Sequence, residues 1–112
     1  MTLEELKTRC ESLNIPYAYG NFVEEQTPPF LVAVVTNTNN FRADSKVYIK
    51  ILQVELYFVY KTKNRLIEQQ IEDTVLNGVQ WEKEDEDYNS QEKVWQIRYT
   101  FSILDNKVEI SL

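Results

Sequence analysis

Histidine is missing from the 112 residues, and cysteine and glycine are scarce. Without histidine the chain lacks the commonest general base, the histidine-containing triads and the usual ligand of zinc and iron sites. The single cysteine, Cys10, has no histidine to activate it, and Gly20 and Gly78 are too few for a glycine-rich phosphate loop. We therefore expect no enzyme activity, no cofactor and no metal site.

Basic residues are also few, with 12 lysines and arginines against 18 acidic residues and a net charge of −6. Tight nucleic-acid binding needs clustered positive charge, so we expect none. A single cysteine excludes an internal disulfide and disfavours a disulfide-stapled secreted scaffold. We see no secretory signal peptide and no apolar run long enough to cross a bilayer, and we expect a soluble intracellular product.

What is present is the composition of a folded domain, with 43% apolar and 12% aromatic residues. We expect residues 1–112 to form a single domain with one core. It begins with a helix, because Thr2 and Glu5 have the spacing of a capping box and apolar residues then recur at helical steps. These apolar residues are Leu3, Leu6, Cys10 and Leu13. Asn14 and Pro16 end the helix.

Three strands are predicted next. Residues 17–22 form a short aromatic strand. After two prolines, residues 30–35 are apolar at every position, which is typical of a central strand covered on both faces. Residues 36–46 are a polar connection, and a long strand of β-branched and aromatic residues follows at 47–60.

The apolar pattern of this long strand has a fault. In residues 47–51 the apolar side chains fall on odd positions, whereas from Leu52 they fall on even positions. Period-2 geometry cannot bury both sets on one face, so we expect a β-bulge or a change of environment near Ile51 and Leu52. The strand would run about 46 Å, against a radius of gyration of about 13 Å for a globule of this size. Either it bends sharply, or residues 36–51 leave the domain as a protruding arm.

A second helix is predicted after Asn64, which is a suitable N-cap, and it ends at Asn77 and Gly78. Its pattern predicts one buried face and one solvent face. The buried face holds Ile67, Ile71, Thr74 and Val75, and the solvent face holds Glu68, Gln69, Glu72 and Asp73.

Two further strands are expected at 79–85 and 93–104. In the second, apolar and polar residues alternate, with Trp95, Ile97, Tyr99, Phe101 and Ile103 on the apolar face. Asp105 and Asn106 then turn the chain into a short edge strand at 108–112. The order α-β-β-β-α-β-β is typical of an α+β fold, here a mostly antiparallel sheet of four to six strands with two helices packed on one face.

The acidic run of Glu82 and residues 84–87 lacks the glycine and the ligand spacing of an EF-hand calcium loop. We interpret it as a solvated loop. Tyr57, Tyr60, Trp81 and Trp95 have the chemistry to stack on bases. Because no cluster of basic residues accompanies them, we assign them to the core.

Apolar Phe41, Tyr48 and Ile49 lie in or beside the polar stretch 36–46, where a monomer gains little from them. Exposed apolar arms and free strand edges normally mark assembly contacts. Alternatively, this stretch folds back over the sheet and covers it. The residues alone leave both interpretations open.

Several short motifs between Leu3 and about Phe101 together carry a family resemblance. They are Pro28-Pro29-Phe30, Asn39-Asn40-Phe41 with Ala43-Asp44 before Tyr48, Val54-Glu55-Leu56-Tyr57, Lys61, Glu68 with Ile71-Glu72, and Tyr88 with Glu92. With them the chain resembles the tail completion, or tail terminator, proteins of long-tailed phages. These small proteins are encoded in the morphogenesis modules of phages and prophages of Gram-positive bacteria.

The resemblance implies a non-catalytic virion protein that forms a ring, usually of about six subunits, caps the tail tube and joins it to the head connector. It would reside in the tail or neck of the virion, and in the host cytoplasm during assembly. Its partners would be copies of itself, the tail tube protein and the head connector protein, with no membrane and no tight nucleic-acid binding. We expect the contact residues to be Phe41, Arg42, Tyr48, Ile49 and Lys50.

Other functions compete with this one. The chain is alternatively another head–tail joining protein, such as a stopper or an adaptor. It is alternatively an acidic binding module that inhibits a host nucleic-acid enzyme by charge mimicry. A hydrolase with an unrecognised carboxylate site is the least favoured alternative.

Overall fold

The computed structural model describes residues 1–22, 24–42 and 47–110, and it describes side chains outside residues 39–50 and 105–110. Within these residues, two helices, α1 and α2, and six strands follow one another, and a π-helical segment continues α2. Their bounds are α1 Leu3–Glu11, β1 Tyr17–Tyr19, β2 Phe30–Arg42, β3 Val47–Tyr60, α2 Arg65–Gln70, the π-helical segment Ile71–Val75, β4 Trp81–Lys83, β5 Asp87–Asn89 and β6 Val94–Ile110.

The six strands form one sheet in the order β1-β2-β3-β6-β4, with β5 also paired to β6. Only β1 and β2 are parallel to each other, and the other pairs are antiparallel. Leu6 and Cys10 of α1 and Ile71 and Val75 of the π-helical segment join a single buried cluster with residues of β2, β3 and β6. The predicted α+β fold, a mostly antiparallel sheet with its helices on one face, is confirmed.

Helix α1 forms as its sequence predicts. The Glu5 N–H donates to Thr2 Oγ1 at 3.1 Å, which satisfies one of the unpaired N–H groups at the helix start. Leu6 and Cys10 are fully buried. The chain leaves the helix through Asn14, whose φ of 59° is in the left-handed region that asparagine tolerates.

The second helix begins as predicted, because the Asn64 side chain accepts from the N–H groups of Leu66 and Ile67. Its predicted faces are partly wrong: Glu68 is buried and Thr74 is exposed. The backbone widens into the π-helical segment, where the Leu76 N–H donates to the Ile71 carbonyl at 3.0 Å. This wider turn breaks the 3.6-residue period, so the positions after Ile71 no longer follow the predicted face.

Strand β2 is longer than the sequence predicts. Residues 36–42, expected as part of a polar connection, continue β2 and pair with β3. A neighbouring strand that supplies backbone hydrogen bonds outweighs the low strand propensity of asparagine. One extra residue, Thr36, interrupts the register, because Val35 pairs with Val54 and Asn37 pairs with Gln53. Residues 43–46 lie outside the described residues.

The sequence predicts either a β-bulge or a change of environment near Ile51 and Leu52. The pairing of β3 with β2 and with β6 shows no shift between these two residues. Leu52 is buried against the helices, whereas Ile51 is half-buried on the other face, directly opposite exposed Leu104. The second alternative, a change of environment, fits this arrangement. The irregularity in the ladder lies in β6, where Tyr48 pairs with Glu109 and Lys50 with Asp105.

Strand β6 also runs further than expected. The predicted turn at Asp105 and Asn106 is wrong, because β6 continues to Ile110 beside the early part of β3. The long strand β3 provides the pairing partner for this extension. Tyr48 and Lys50 are two positions apart on β3, whereas their partners Glu109 and Asp105 are four positions apart on β6. Residues 111–112 of the predicted edge strand lie outside the described residues. The sequence also missed β5, which begins at Asp87, the last residue of the stretch interpreted as an acidic loop, and pairs with β6.

The molecule is elongated, with extents of 52 × 26 × 24 Å and a radius of gyration of 15.7 Å. A compact domain of this length has a radius of gyration of about 13 Å. The long axis matches the contour of a strand of the length of β3. Over the part of the chain that the structure describes, we find no helix with the length and apolarity to span a membrane.

Candidate functional site

Three strands of the sheet continue beyond the others. β1 pairs only with Leu31–Ala33 of β2, and β4 pairs only with Tyr99–Phe101 of β6. We call the remainder the three-stranded ribbon. It consists of residues 36–42 of β2, 47–53 of β3 and 102–110 of β6.

The ribbon contains all five residues that the sequence singled out as contact residues. In the β2–β3 pairing, Phe41 lies opposite Ile49 and Arg42 lies opposite Tyr48. Lys50 follows on β3, with Asp105 of β6 on its other side. The register therefore brings all five onto one hairpin. Their side chains lie outside the described residues, so their role as contact residues stays a prediction.

Both outer edges of the ribbon lack a strand partner in the structure of residues 1–22, 24–42 and 47–110. On one side this applies to β2 beyond Ala33, and on the other to β6 beyond Phe101. A strand edge presents a row of backbone N–H and C=O groups that a further strand can pair with. The two edges lie on opposite sides of β3, so one copy of the protein offers two different pairing surfaces.

Among the exposed side chains that the structure describes on the ribbon, Leu104 is the one apolar residue. Leu104 is 48% exposed and lies opposite Ile51. Around it the ribbon carries exposed Thr36, Asn37 and Thr38, and the Ser102 hydroxyl donates to the Gln53 side chain at 2.9 Å. The sequence pattern places Leu104 in a predicted strand but does not mark it as a contact residue. Its signal was the break in alternation at Ile103-Leu104, where two large apolar residues follow each other.

At the other end of β3, two lysines surround the buried carboxylate of Glu68. Lys63 Nζ lies 3.0 Å from one Glu68 carboxylate oxygen, and Lys83 Nζ donates to the other. Lys83 also lies 3.0 Å from Glu72 Oε2. Glu68 is only 8% exposed, so the two lysines replace the water that a surface glutamate would have.

Two tyrosines extend this network into the sheet. The Tyr60 hydroxyl donates to Glu86, which also pairs with Lys63. The Tyr99 hydroxyl donates to Glu72 Oε2 at 2.8 Å. We call the whole group the polar network. Its members are Tyr60, Lys63, Glu68, Glu72, Lys83, Glu86 and Tyr99.

The charge states in the polar network follow from these contacts. Burial raises the pKa of Glu68, but hydrogen bonds from Lys83 and Lys63 outweigh it and leave that pKa below its usual value. Hydrogen bonds from Lys63 and Tyr60 lower the pKa of Glu86. Burial, with a hydrogen bond to Glu72, raises the pKa of Tyr99. The ionised carboxylates and the neutral phenol are held in hydrogen bonds and ion pairs within the network, so we assign the network a stabilising role.

The Cys10 thiol and the acidic side chains of the described residues have the chemistry of nucleophiles or metal ligands, and Cys10 is buried. Burial, together with the neighbouring Glu11 charge, raises the pKa of Cys10 to about 12, so the thiol stays protonated. Throughout the described part of the chain, no group of three or more cysteine, aspartate or glutamate side chains is arranged to hold a metal ion.

The sheet face opposite the helices holds an open groove, which we call the open-face groove. On β2, buried Leu31 and Ala33 alternate with half-buried Val32 and Val34. The prediction that this strand is covered on both faces is therefore only partly right, because helices cover one face only. A run of apolar residues predicts that both faces of a strand are shielded from water. It does not show whether the second face is covered by helices or only bordered by a loop. The groove has a volume of about 780 Å³.

Comparisons with known proteins provide no family for the chain. No family model matches it, and no curated protein matches its sequence. We therefore infer function from the residues and from the geometry described above.

Proposed function

We propose that the protein is a non-catalytic virion structural protein, a tail terminator of a long-tailed phage or prophage. In this role it forms a ring that caps the tail tube and joins the tube to the head connector. One structural observation carries the proposal: the three-stranded ribbon, with both outer edges unpaired among the described residues. The motifs that resemble the tail terminator family are the reason for proposing a tail terminator ring and not another assembly.

The ribbon supports a ring because its two edges differ. If the β2 edge of one copy pairs with the β6 edge of the next, the contact is heterologous, and repetition closes a ring when the rotation per copy allows it. Leu104 lies on the β6 side and would be covered by such a neighbour. An exposed leucine beside an unpaired edge is costly in a monomer and useful in an assembly.

The charge of the chain supports the same role. A ring at the head–tail joint surrounds the path of the DNA. A subunit with a net charge of −6 repels the phosphate backbone, so DNA slides through the ring instead of binding to it.

Light scattering during size-exclusion chromatography tests the proposal, with the protein alone and with purified tail tubes. We expect a mass that is a multiple of 13.3 kDa, or co-elution with the tubes. Leu104→Lys should abolish the assembly, because it places a charge at the ribbon edge. Leu66→Lys is the matched control, because Leu66 is 67% exposed on α2 and lies outside the ribbon.

Two results contradict the proposal. One is a wild-type protein that stays monomeric and does not co-elute with tail tubes. The other is equal loss of assembly in Leu104→Lys and Leu66→Lys, because the effect would then be unrelated to the ribbon. Circular dichroism of both variants establishes that each is folded.

Two other functions remain candidates. A stopper or adaptor would use the same ribbon, and gene order separates it from a terminator, whose gene should lie immediately before the major tail protein gene. The net charge of −6 and the exposed acidic residues 84–87 favour an inhibitor of a nucleic-acid enzyme as the second candidate. A pull-down from host lysate that captures a basic enzyme, and releases it with salt, would support the inhibitor.

A further inference from the structure

The floor of the open-face groove is built by three adjacent strands. Phe30 on β2 lies opposite Val59 on β3, and Val59 lies opposite Gln96 on β6. One step along, Val32 lies opposite Tyr57. Val34 and Val94 extend the apolar floor on β2 and β6. Strands lie about 4.8 Å apart, so the floor is about 10 Å wide, which is enough for the side chains of one peptide segment.

Two chain segments border this floor. Residues 21–22 and 24–28 precede β2, where the Phe22 and Phe30 rings meet edge to face with centroids 5.3 Å apart. The turn before β6 borders the floor from the other side of β3 and contributes Glu92. The volume of about 780 Å³ lies within the range of ligand-binding clefts.

The groove combines an apolar floor with a negative rim. Glu24, Glu25 and Glu92 line it, and Lys61 is the one lysine or arginine among the described residues that do so. The two glutamates next to β2 and the one next to β6 lie in segments attached to strands on either side of β3. Their charges therefore surround the floor instead of forming one acidic patch.

We propose that the open-face groove binds a basic, amphipathic segment of a partner protein. Its apolar side chains occupy the floor formed by β2, β3 and β6, and its lysine or arginine side chains reach the rim carboxylates. This binding site is separate from the ribbon and does not depend on the proposed ring.

The pattern of the sheet supports this occupant. In a sheet with helices on one face, the other face usually carries polar residues, because water covers it. Here Phe30, Val32 and Val34 occupy successive positions on that face of β2 and remain half-buried. Lysine and arginine have apolar stems and charged ends, so they lie along an apolar floor and still reach carboxylates at its border.

The charge of the groove disfavours other occupants. Phosphate-containing ligands, including nucleic acids, would meet three carboxylates and a single lysine. The Tyr57 hydroxyl, which would otherwise offer a donor to a small polar ligand, donates to Glu55 at 2.9 Å. A positively charged peptide satisfies the rim and the floor together.

The test uses a fluorescein-labelled peptide of alternating leucine and lysine, about 12 residues long, and measures its fluorescence anisotropy with the folded protein. A peptide of alternating leucine and glutamate is the charge control. We expect the leucine–lysine peptide to bind and the leucine–glutamate peptide to bind at least about tenfold more weakly. Val32→Lys should weaken binding of the leucine–lysine peptide about tenfold, because it adds a positive charge to the floor.

A triple rim variant separates local charge from net charge. Glu24→Gln, Glu25→Gln and Glu92→Gln remove three negative charges at the groove, and we expect binding to weaken about tenfold. The matched control removes three exposed charges elsewhere, through Asp73→Asn, Glu82→Gln and Asp85→Asn. Both variants have the same net charge, so only the rim variant should lose affinity. All six positions are exposed, so both variants should fold even if Val32→Lys does not.

Three outcomes overturn the proposal. They are no binding of the leucine–lysine peptide to the wild-type protein, equal binding of both peptides, and equal loss in the rim variant and its control. The last result would mean that net charge alone attracts the peptide. Because the rim variant leaves the ribbon intact, its assembly state shows independently whether the proposed ring fails.

Discussion

Glu68 is the residue whose environment differs most from its expected one. Its carboxylate is buried between Lys63 and Lys83, although the helical pattern assigned it to solvent. A buried carboxylate is tolerated only when partners replace its lost water. The two lysines come from different parts of the chain, one after β3 and one on β4. Glu68 therefore connects α2 to the segment after β3 and to β4.

Replacing Glu68 with alanine should lower the free energy of unfolding by about 1–3 kcal/mol, because the two lysines lose their shared partner. The partial exposure of both lysines keeps the cost below that of a fully buried pair. Urea unfolding followed by fluorescence measures the effect. Asp73→Ala, an exposed acidic position nearby in the π-helical segment, should change stability by less than about 0.5 kcal/mol. Equal effects of the two variants would refute the structural role of Glu68.

At the scale of single residues, the sequence correctly predicted the conformation of residues whose contacts lie close by along the chain. The caps Thr2 and Asn64, and the left-handed Asn14, depend on backbone only a few residues away. Glu68 depends on Lys83, which is 15 residues distant. No local pattern contains this contact, so the solvent-facing assignment failed.

At the scale of elements, helix α1 allows a matched test of its cap. Thr2→Ala removes the acceptor of the Glu5 N–H and should destabilise the protein by about 1 kcal/mol. Thr8→Ala makes the same chemical change inside the same helix, where the Thr8 hydroxyl donates to the Glu4 carbonyl. That change should be neutral or slightly stabilising, because alanine is the better helix former. Thermal unfolding compares the two variants, and a larger loss at Thr8 would contradict the cap assignment.

The strands show where element prediction reached its limit. The alternation of β6 up to Ile103 and the β-branched run of β3 identified both strands. The extensions of β2 through Arg42 and of β6 through Ile110 were missed, because their residues pair only with β3. Their strand conformation comes from a partner far along the chain, which a local window of residues does not reveal. Short β5 was missed for a different reason, because its three residues are all exposed and are too few to form a recognisable strand pattern.

At the scale of the whole molecule, acid stability should depend on the polar network. The pKa values of Glu68 and Glu86 are lower in the folded state than the ordinary value of about 4.3. The unfolded chain therefore binds protons first as the pH falls. The stabilisation is fully present above about pH 4.3 and is lost as the pH falls through the lower folded-state values.

Urea unfolding of the wild-type protein and of Glu68→Gln across this pH range measures the loss. Glutamine resembles a protonated glutamate, so the wild-type advantage should be greatest near neutral pH. It should shrink progressively as the pH falls below about 4.3. An advantage that stays constant over the range would mean that Glu68 is not ionised in the folded protein.

For the candidate site, the sequence indicated a group of residues but not the strand arrangement around them. It singled out five residues near the hairpin, and the register places all five on the ribbon. It did not predict that β1 and β4 stop early and leave both edges of the ribbon without a strand partner among the described residues, because strand order is a property of the assembled sheet. The open-face groove was missed for the same reason, since Val32 and Val59 become neighbours of one floor only through pairing.

The position of β6 has a consequence for how the protein is made. β6 follows β4 and β5 in the chain but lies between them and β3. During synthesis, β3 cannot pair with β6 until the ribosome has added about 35 residues beyond the end of β3. Until then one edge of this apolar strand has no pairing partner. We therefore expect the fold to be completed late and cooperatively, and we expect chaperones to bind the unpaired strand.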